Sequence, residues 1–165
     1  SQSLAQFEQL WALRENISAA QSHEGKNIKH DISVPISRIG EFIEAASRQI
    51  RQAYPDARLI VFGHLGDGNL HFNVAPHAVF AQHYDEAFAR DEAQVNRLVH
   101  DLVAAYEGAI SAEHGIGVLR QAELVRYKQP LELQMMRAIK QALDPHDRMN
   151  PGKLLPTPYT RTPYH

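Results

Sequence analysis

The sequence predicts an α+β fold, a ferredoxin-like βαββαβ sandwich with an antiparallel sheet and with helices on one face of that sheet. Three observations support this prediction. From Lys29 onward, segments with strand or helix periodicity follow one another in the order strand, helix, strand, strand, helix, strand. Asp67-Gly68, between two apolar segments, is a strong β-hairpin signal. The chain has 165 residues, of which 44% are hydrophobic, and this is enough for one well-buried core.

The first elements are a helix, a strand and a second helix. Apolar residues recur at helical spacing over residues 4–20 and predict an amphipathic helix. Apolar and polar residues alternate over residues 28–34, as in a half-buried strand that ends at Pro35. We expect Ser37 to cap the next helix, which ends at Tyr54-Pro55.

The predicted hairpin brings two histidines together. Asp and Gly tolerate the positive φ angles of a two-residue type I′ turn, and such a turn makes His64 and His71 cross-strand partners. The Cβ atoms of such partners are about 5 Å apart, so one metal ion can reach both imidazoles. Alternation places Phe62 and Asn73 on the histidine face. The opposite face is apolar and consists of Val61, Leu65, Leu70, Phe72 and Val74.

The second half of the chain supplies a long helix and a further strand. The helix is predicted over residues 85–107. We expect three histidines to face solvent: His100 on this helix, and His77 and His83 in the loop before it. Residues 109–112 form the predicted fourth strand.

The last segments are a helix and an arm. Pro130 begins the helix and Asp144-Pro145 ends it, while residues beyond Pro156 are expected to be extended or disordered. The predicted organisation has three parts: an N-terminal helix and loop (1–26), a ferredoxin-like core (27–118), and C-terminal helices with an arm (119–165).

Composition excludes several classes of protein. The formal net charge is −2, so the composition does not favour binding to a nucleic acid, which needs a basic face, and we expect no such partner. The chain has no cysteine, which excludes disulfides and thiolate metal ligands. No apolar segment reaches the roughly 18 residues that span a bilayer. We therefore expect a soluble, cytoplasmic protein without a membrane span, and the initial Ser1 suggests a fragment of a longer chain.

Glu113-His114, directly after the last predicted strand, can complete a metal site with the hairpin histidines. Two imidazoles and a carboxylate suit Zn²⁺, Mn²⁺ or Fe²⁺ with positions open for substrate. Neighbouring residues in an extended chain point to opposite sides, so one of this pair is expected to bind the metal and the other to move a proton. The alternative interpretation is a hairpin with two solvated histidines. The sequence has no nucleophile-elbow, Walker or dinucleotide-binding motif.

Three motifs resemble the C-terminal domain of FAD-linked oxidases. This family includes D-2-hydroxyglutarate dehydrogenase, D-lactate dehydrogenase and the glycolate oxidase flavoprotein subunit. The motifs are Gly63-His64-Leu65-Gly66-Asp67-Gly68-Asn69-Leu70-His71, Ser111-Ala112-Glu113-His114-Gly115-Ile116-Gly117 and Asn150-Pro151-Gly152-Lys153. The resemblance extends from about Leu10 to Leu155 and is more specific for the family than for the substrate.

The resemblance implies roles for residues of the predicted metal site. It implies that His64, His71 and Glu113 bind a divalent metal, typically zinc. It also implies that His114 acts as the base and that Asn73 contacts the hydroxy acid.

The resemblance also implies substrate and cofactor contacts outside the metal site. Arg14, Ser18 and Lys29 are expected to bind the carboxylates of the substrate, and Asn150 and Lys153 to lie in an arm that returns towards the flavin. The resembling family members that use D-2-hydroxyglutarate have Thr at the position of Ser18. Both residues carry a hydroxyl, so the expected role is kept. The resemblance does not determine the size of the substrate.

The expected activity is oxidation of a D-2-hydroxy acid to a 2-oxo acid with transfer of hydride to FAD. Family members carry a separate N-terminal FAD-binding domain, so we expect this chain to be inactive alone. Two alternatives remain open. One is a non-catalytic metal-binding or interaction module, and the other is a stand-alone metal-dependent hydrolase.

Overall fold

The computed structural model describes residues 3–23, 26–75 and 84–156. In these residues the chain forms an antiparallel three-stranded sheet and five helices. The strands are β1 (Asp31–Ser33), β2 (Arg58–His64) and β3 (Asn69–Ala75). The helices are α1 (Leu4–His23), α2 (Ile39–Ala53), α3 (Tyr84–Ala105), α4 (Gln121–Tyr127) and α5 (Pro130–Leu143). The predicted α+β fold with flanking helices is confirmed.

The sheet has the strand order β1-β3-β2, and a bridge occupies the position beyond β1. Ser33 N–H donates to the Ala109 carbonyl over 3.0 Å, and Ala109 N–H donates back to the Ser33 carbonyl over 2.9 Å. The strand predicted over residues 109–112 is therefore reduced to an antiparallel bridge. The ladder stops there because Ala112 N–H, rather than the N–H of Ser111, donates to the Asp31 carbonyl over 3.1 Å, so the register slips by one residue.

The hairpin differs from the prediction in its register. His64 pairs with Asn69 and Phe62 pairs with His71, so the predicted direct pairing of His64 with His71 is wrong. The connection contains four residues, 65–68, rather than two. Because the register differs by two residues, and side chains alternate with a period of two, both histidines still occupy the predicted face.

Gly68 is required by the shape of this loop. A 3-10 turn over Leu65–Asp67 precedes it, and Gly68 itself has φ 76°, which favours glycine. A Cβ atom at this position would lie 2.4 Å from the Val34 carbonyl oxygen. Leu65 belongs to the turn and is exposed, so its predicted place on the apolar strand face is wrong.

The hydrophobic core lies between the sheet and the pair α2 and α3. Phe42 of α2 packs edge-on against Phe72 of β3, with ring centroids 6.0 Å apart. The apolar residues of β1 and β3 face these helices, because alternate residues of a strand point to the same side. Fully buried members of this core are Ile32, Phe42, Ala46, Ile50, Leu70, Phe72, Val74, Val95, Val99 and Val103. The opposite face of the sheet carries the polar side chains of the strands, including His71 and Asp31.

The flanking helices follow the prediction in part. α1 forms as predicted, but its leucines are exposed, Leu13 by 73%. α2 begins after Arg38 without a side-chain cap, so the predicted cap at Ser37 is wrong. α5 begins at Pro130 as predicted, where the Glu132 carboxylate accepts the Gln129 N–H over 2.9 Å. α4 was not predicted, because it is short and has a single buried residue, Leu124.

No helix among the described residues combines the length and the apolar character needed to cross a bilayer. His77, His83 and the segment beyond Pro156, for which the sequence made predictions, lie outside the described residues.

Candidate functional site

Four chain segments meet on the sheet face opposite α2 and α3. Asp31 lies on β1, His71 lies opposite it on β3, and His64 ends β2. The turn after the Ala109 bridge supplies Glu113 and His114. We call these five residues, Asp31, His64, His71, Glu113 and His114, the open cluster.

Glu113 lies between the two hairpin histidines. Its Oε1 is 3.7 Å from His64 Nε2, and its Oε2 is 4.0 Å from His71 Nε2. Two ligands bound about 2.1 Å from one tetrahedral zinc ion are about 3.4 Å apart. The two separations are slightly wider than this, and His64 Nε2 also lies 3.0 Å from Arg14 Nη2. To share an ion with His71 and Glu113, His64 would have to leave that contact and move towards them.

Asp31 joins this group, which the sequence reasoning missed. One ligand atom each from Asp31, His71 and Glu113 all lie within 4.8 Å of one another. His64 is not part of that compact set, although it reaches Glu113. The signal was available in the predicted strand over residues 28–34, where Asp31 alternates onto the same face as Lys29. What the sequence could not provide is the register that makes Asp31 the cross-strand partner of His71.

The carboxylate of Asp31 is buried and binds the backbone of the turn. Its Oδ2 accepts the N–H of Glu113 over 2.9 Å and that of His114 over 2.7 Å. Burial by itself raises the pKa of this carboxyl, but the two backbone donors and the nearby rings of His114 and His71 hold the pKa below its ordinary value. Asp31 is therefore a charged carboxylate at neutral pH.

His114 is the most accessible side chain of the open cluster, with 66% of it exposed. Its Nδ1 lies 3.7 Å from Asp31 Oδ2, and its ring centroid lies 5.9 Å from that of His71. The His71 ring also packs at 4.8 Å against Phe62, its partner on β2. An imidazole in this position can meet a ligand from solvent and exchange a proton with it.

The predicted carboxylate-binding residue Arg14 reaches the open cluster from α1. Its Nη2 lies 3.1 Å from Nδ1 and 3.0 Å from Nε2 of His64. The guanidinium also lies 5.4 Å from the centre of the Trp11 ring. Ser18 lies one helical turn further along α1, but its side chain is outside the described residues.

The remaining predicted residues lie in different places. Lys29 is exposed next to β1, and its carbonyl accepts a hydrogen bond from Arg120 over 3.1 Å. Asn73 is buried, and its Oδ1 accepts the His30 N–H over 3.3 Å. Asn150 and Lys153 are exposed and form a turn of their own, in which Lys153 N–H donates to the Asn150 carbonyl over 3.2 Å.

A second group of similar residues lies on the helix side of the sheet. His100 of α3 is only 2% exposed, and its Nδ1 donates to Glu123 Oε2 of α4 over 3.0 Å. The expectation that His100 faces solvent is therefore wrong, because α4 covers it. Its ring packs edge-on against the buried His30, with centroids 5.5 Å apart. We call His30, Arg97, His100, Glu123 and Tyr127 the buried cluster.

Hydrogen bonds join most of the polar groups of the buried cluster, while the Nε2 atoms of His30 and His100 are buried without a hydrogen-bond partner among the described residues. Arg97 donates to Glu123 Oε1 over 2.7 Å and to the Tyr127 hydroxyl over 2.8 Å. His30 Nδ1 donates to the Phe72 carbonyl over 2.7 Å. Burial lowers the pKa of His30 to about 4 and also lowers that of His100, so both rings are neutral at neutral pH.

Comparison with known proteins identifies the family of this chain. Residues 1–154 match the family model of the C-terminal domain of FAD-linked oxidases. The chain belongs to this family. The match covers the open cluster, Arg14, Asn150 and Lys153, so all the predicted site residues lie within an FAD-linked oxidase C-terminal domain.

Relatives of this FAD-linked oxidase C-terminal domain include three proteins named D-2-hydroxyglutarate dehydrogenase. The protein from Stutzerimonas stutzeri is 41% identical over 154 residues, which cover 93% of this chain and 32% of that protein. The protein from Xanthomonas citri pv. viticola is 43% identical over 157 residues, which cover 95% of this chain and 32% of that protein. The mitochondrial protein from Bos taurus is 39% identical over 150 residues, covering 90% and 25%.

The chain thus spans between a quarter and a third of the length of these relatives. The family is FAD-linked, which confirms the expected family. The predicted cytoplasmic location stays a prediction, because the bovine relative is mitochondrial.

Proposed function

We propose that this chain forms the metal- and substrate-binding part of an FAD-linked dehydrogenase that oxidises a D-2-hydroxy acid to a 2-oxo acid. The observation that carries the proposal is the Glu113 carboxylate between His64 and His71, with His114 beside it on an accessible sheet face. The names of the relatives favour D-2-hydroxyglutarate as the substrate over the smaller D-lactate or glycolate.

His64, His71 and Glu113 would hold one divalent ion, for which zinc fits the donor atoms, as do manganese and iron(II). Such an ion supplies a Lewis acid for the 2-hydroxyl and the 1-carboxylate of the substrate, and so makes the hydroxyl proton more acidic. The exposed edge of the open cluster lets a ligand approach while the carboxylate of Glu113 keeps its position between the imidazoles.

His114 is the proposed base. Its imidazole would take the proton of the 2-hydroxyl, and FAD, when bound, would supply the hydride acceptor for the hydrogen on C2. The oxygen and C2 then form the carbonyl of the 2-oxo acid. FAD would be held mainly by residues outside positions 1–165, with Asn150 and Lys153 contributing from the C-terminal arm.

Arg14, Ser18 and Lys29 are the proposed partners of the substrate carboxylates. A guanidinium can donate two parallel hydrogen bonds to one carboxylate, which an ammonium group cannot imitate. The contact of Arg14 with His64 supports this role, because it brings the cation to the edge of the proposed metal site. Asn73 is the proposed contact from β3, and its buried amide would have to turn from the His30 N–H to meet the hydroxy acid.

A chimera tests the proposal. Residues 1–154 of this chain replace the matching segment of the Stutzerimonas stutzeri protein, and reduction of bound FAD is followed on addition of D-2-hydroxyglutarate, L-2-hydroxyglutarate or D-lactate. We expect reduction with D-2-hydroxyglutarate, loss of that activity after chelation, and recovery with zinc.

Two results would contradict the proposal. One is a folded, FAD-loaded chimera that no D-2-hydroxy acid reduces while the parent protein remains active. The other is hydrolytic activity of the isolated chain without flavin, which would favour a metal-dependent hydrolase instead.

A further inference from the structure

The Asp31 side chain binds the segment that carries Glu113 and His114. Three successive N–H groups of that segment point at this one residue. Ala112 N–H donates to the Asp31 carbonyl over 3.1 Å, and the N–H groups of Glu113 and His114 donate to Asp31 Oδ2 over 2.9 Å and 2.7 Å. The last two bonds are charge-assisted, since their acceptor is a carboxylate, and such bonds are stronger than neutral ones.

These bonds determine where two side chains of the open cluster point. Fixing consecutive N–H groups fixes the backbone around both residues, and the Cα–Cβ directions follow from the backbone. The neighbouring Gly115 and Gly117 have positive φ angles, 78° and 59°, so the chain turns away directly after His114. Among the described residues, the side-chain hydrogen bonds to the Glu113 and His114 backbone come from Asp31.

The position of Asp31 in the sheet joins this turn to His71. Asp31 and His71 are cross-strand partners, and a carboxylate oxygen of Asp31 lies within 4.8 Å of ligand atoms of both His71 and Glu113. One strand residue therefore sets the distance between the turn and β3. Of the two carboxylate oxygens, Oδ2 accepts the bonds from the turn, while Oδ1 is buried and has no hydrogen-bond partner among the described residues.

We propose that Asp31 is a positioning residue, whose carboxylate holds the turn so that Glu113 faces the metal and His114 faces the substrate. This inference rests on the proposed function. Asp31 acts through the backbone of its neighbours and needs no contact with the substrate. Residues that orient metal ligands typically change metal affinity about 10- to 100-fold when they are removed.

Two substitutions separate positioning from other roles. Asp31→Asn keeps an oxygen that accepts both N–H groups but removes the charge, whereas Asp31→Ala removes the acceptor. We expect zinc affinity, measured by competition with a chromophoric chelator, to fall roughly 10- to 100-fold in Asp31→Ala and less than about 10-fold in Asp31→Asn. Hydrogen exchange at the amides of residues 113 and 114 should accelerate in Asp31→Ala and stay slow in Asp31→Asn.

Asp144 offers a matched control. It is also buried, and its carboxylate accepts the N–H groups of Arg148 and Met149 over 2.9 Å and 2.8 Å, but it lies after α5. Asp144→Asn and Asp144→Ala should leave zinc affinity unchanged. If Asp31→Ala does not fold, Asp31→Asn alone still tests the inference, because positioning requires its affinity and its slow exchange to be largely kept.

Equal zinc affinities for Asp31→Asn and Asp31→Ala, both far below the parent chain, would overturn the inference and assign Asp31 to charge or direct coordination. Unchanged exchange at residues 113 and 114 in a folded Asp31→Ala chain would overturn it as well. A parent chain that binds no zinc counts against the proposed function. In that case the hydrogen-exchange measurement alone tests whether Asp31 fixes the turn.

Discussion

The open cluster and the buried cluster each combine histidines with one glutamate on opposite faces of one sheet, yet the environments of these residues differ. In the buried cluster, Glu123 binds His100 over 3.0 Å and Arg97 over 2.7 Å, and both histidines are shielded from solvent. In the open cluster, Glu113 lies 3.7 Å and 4.0 Å from its two histidines, and its side chain is 38% exposed. Residue type alone therefore does not identify a site, whereas the accessibility of the ligand atoms to solvent separates the open cluster from the buried one.

The physical consequence is a division of work. Histidines that are buried and hydrogen-bonded stay neutral and stabilise the packing of α3 and α4 on the sheet. Histidines at an accessible edge can exchange water for a metal ion or a substrate. Variants in matched pairs, one from each cluster, can break or sharpen this contrast.

The largest contrast concerns His114 and His100. In the chimera, His114→Ala should lower kcat by about 10²- to 10⁴-fold, the range typical for loss of a general base. His100→Gln should change kcat by much less, because His100 faces the core rather than the substrate. Steady-state oxidation of D-2-hydroxyglutarate measures both. A kcat for His114→Ala near that of the parent chimera would contradict the assignment.

The next contrast is the pH dependence of stability. The pKa of His30 in the folded chain is about 4 because of burial, against 6.5 for an ordinary histidine. The unfolded chain therefore binds the proton first, so the stability held above pH 6.5 is lost as pH falls from 6.5 to 4. The loss amounts to roughly 3 kcal/mol at most. Urea unfolding at several pH values gives the free energy of unfolding as a function of pH. Between pH 6.5 and 4 this free energy should fall less steeply for His30→Gln than for the parent chain. The same pH dependence in both chains would argue against a buried, neutral His30.

A third contrast concerns the two glutamates and stability. Glu123→Ala leaves the buried His100 Nδ1 without its partner, whereas the partly exposed Arg97 keeps its bond to the Tyr127 hydroxyl. A buried unpaired polar group costs about 1–3 kcal/mol. Glu113→Ala should cost less, because the Glu113 side chain is exposed at the edge and its distances to both histidines exceed hydrogen-bond length. The free energy of unfolding measures both variants. Equal losses would remove the distinction between the clusters.

Much of this arrangement could be predicted from the sequence. The first three strands, the helices α1, α2, α3 and α5 and the shared face of His64 and His71 follow from local periodicity and the hairpin signal. The place of Glu113 beside them was expected from the predicted order of the strands. The predicted register was wrong by two residues, but the predicted face of each strand side chain stayed correct, because side chains two residues apart point to the same side.

Other parts could not be predicted, since they depend on contacts between distant segments. His100 is buried by α4, whose Glu123 lies 23 residues further along the chain. Asp31 meets the turn at residues 113 and 114, which are 82 and 83 residues away. No periodicity over a short window contains this information, so Asp31 looked like an ordinary polar residue of a half-buried strand.

The smallest expected contrast separates two arginines. Arg14→Lys in the chimera should raise KM for D-2-hydroxyglutarate roughly 10-fold, because the paired hydrogen bonds of a guanidinium are lost while the charge remains. Arg97→Lys, in the buried cluster, should leave KM unchanged and lower the free energy of unfolding instead. A change of KM in Arg97→Lys alone would reverse the two assignments.

Zinc titration of the chain and of its two glutamate variants tests the central claim most directly. Calorimetry should show one ion bound per chain, with binding lost in Glu113→Ala and kept in a folded Glu123→Ala. A parent chain that binds no divalent ion, or a Glu113→Ala chain that binds zinc as tightly as the parent, would contradict the metal site proposed for the open cluster.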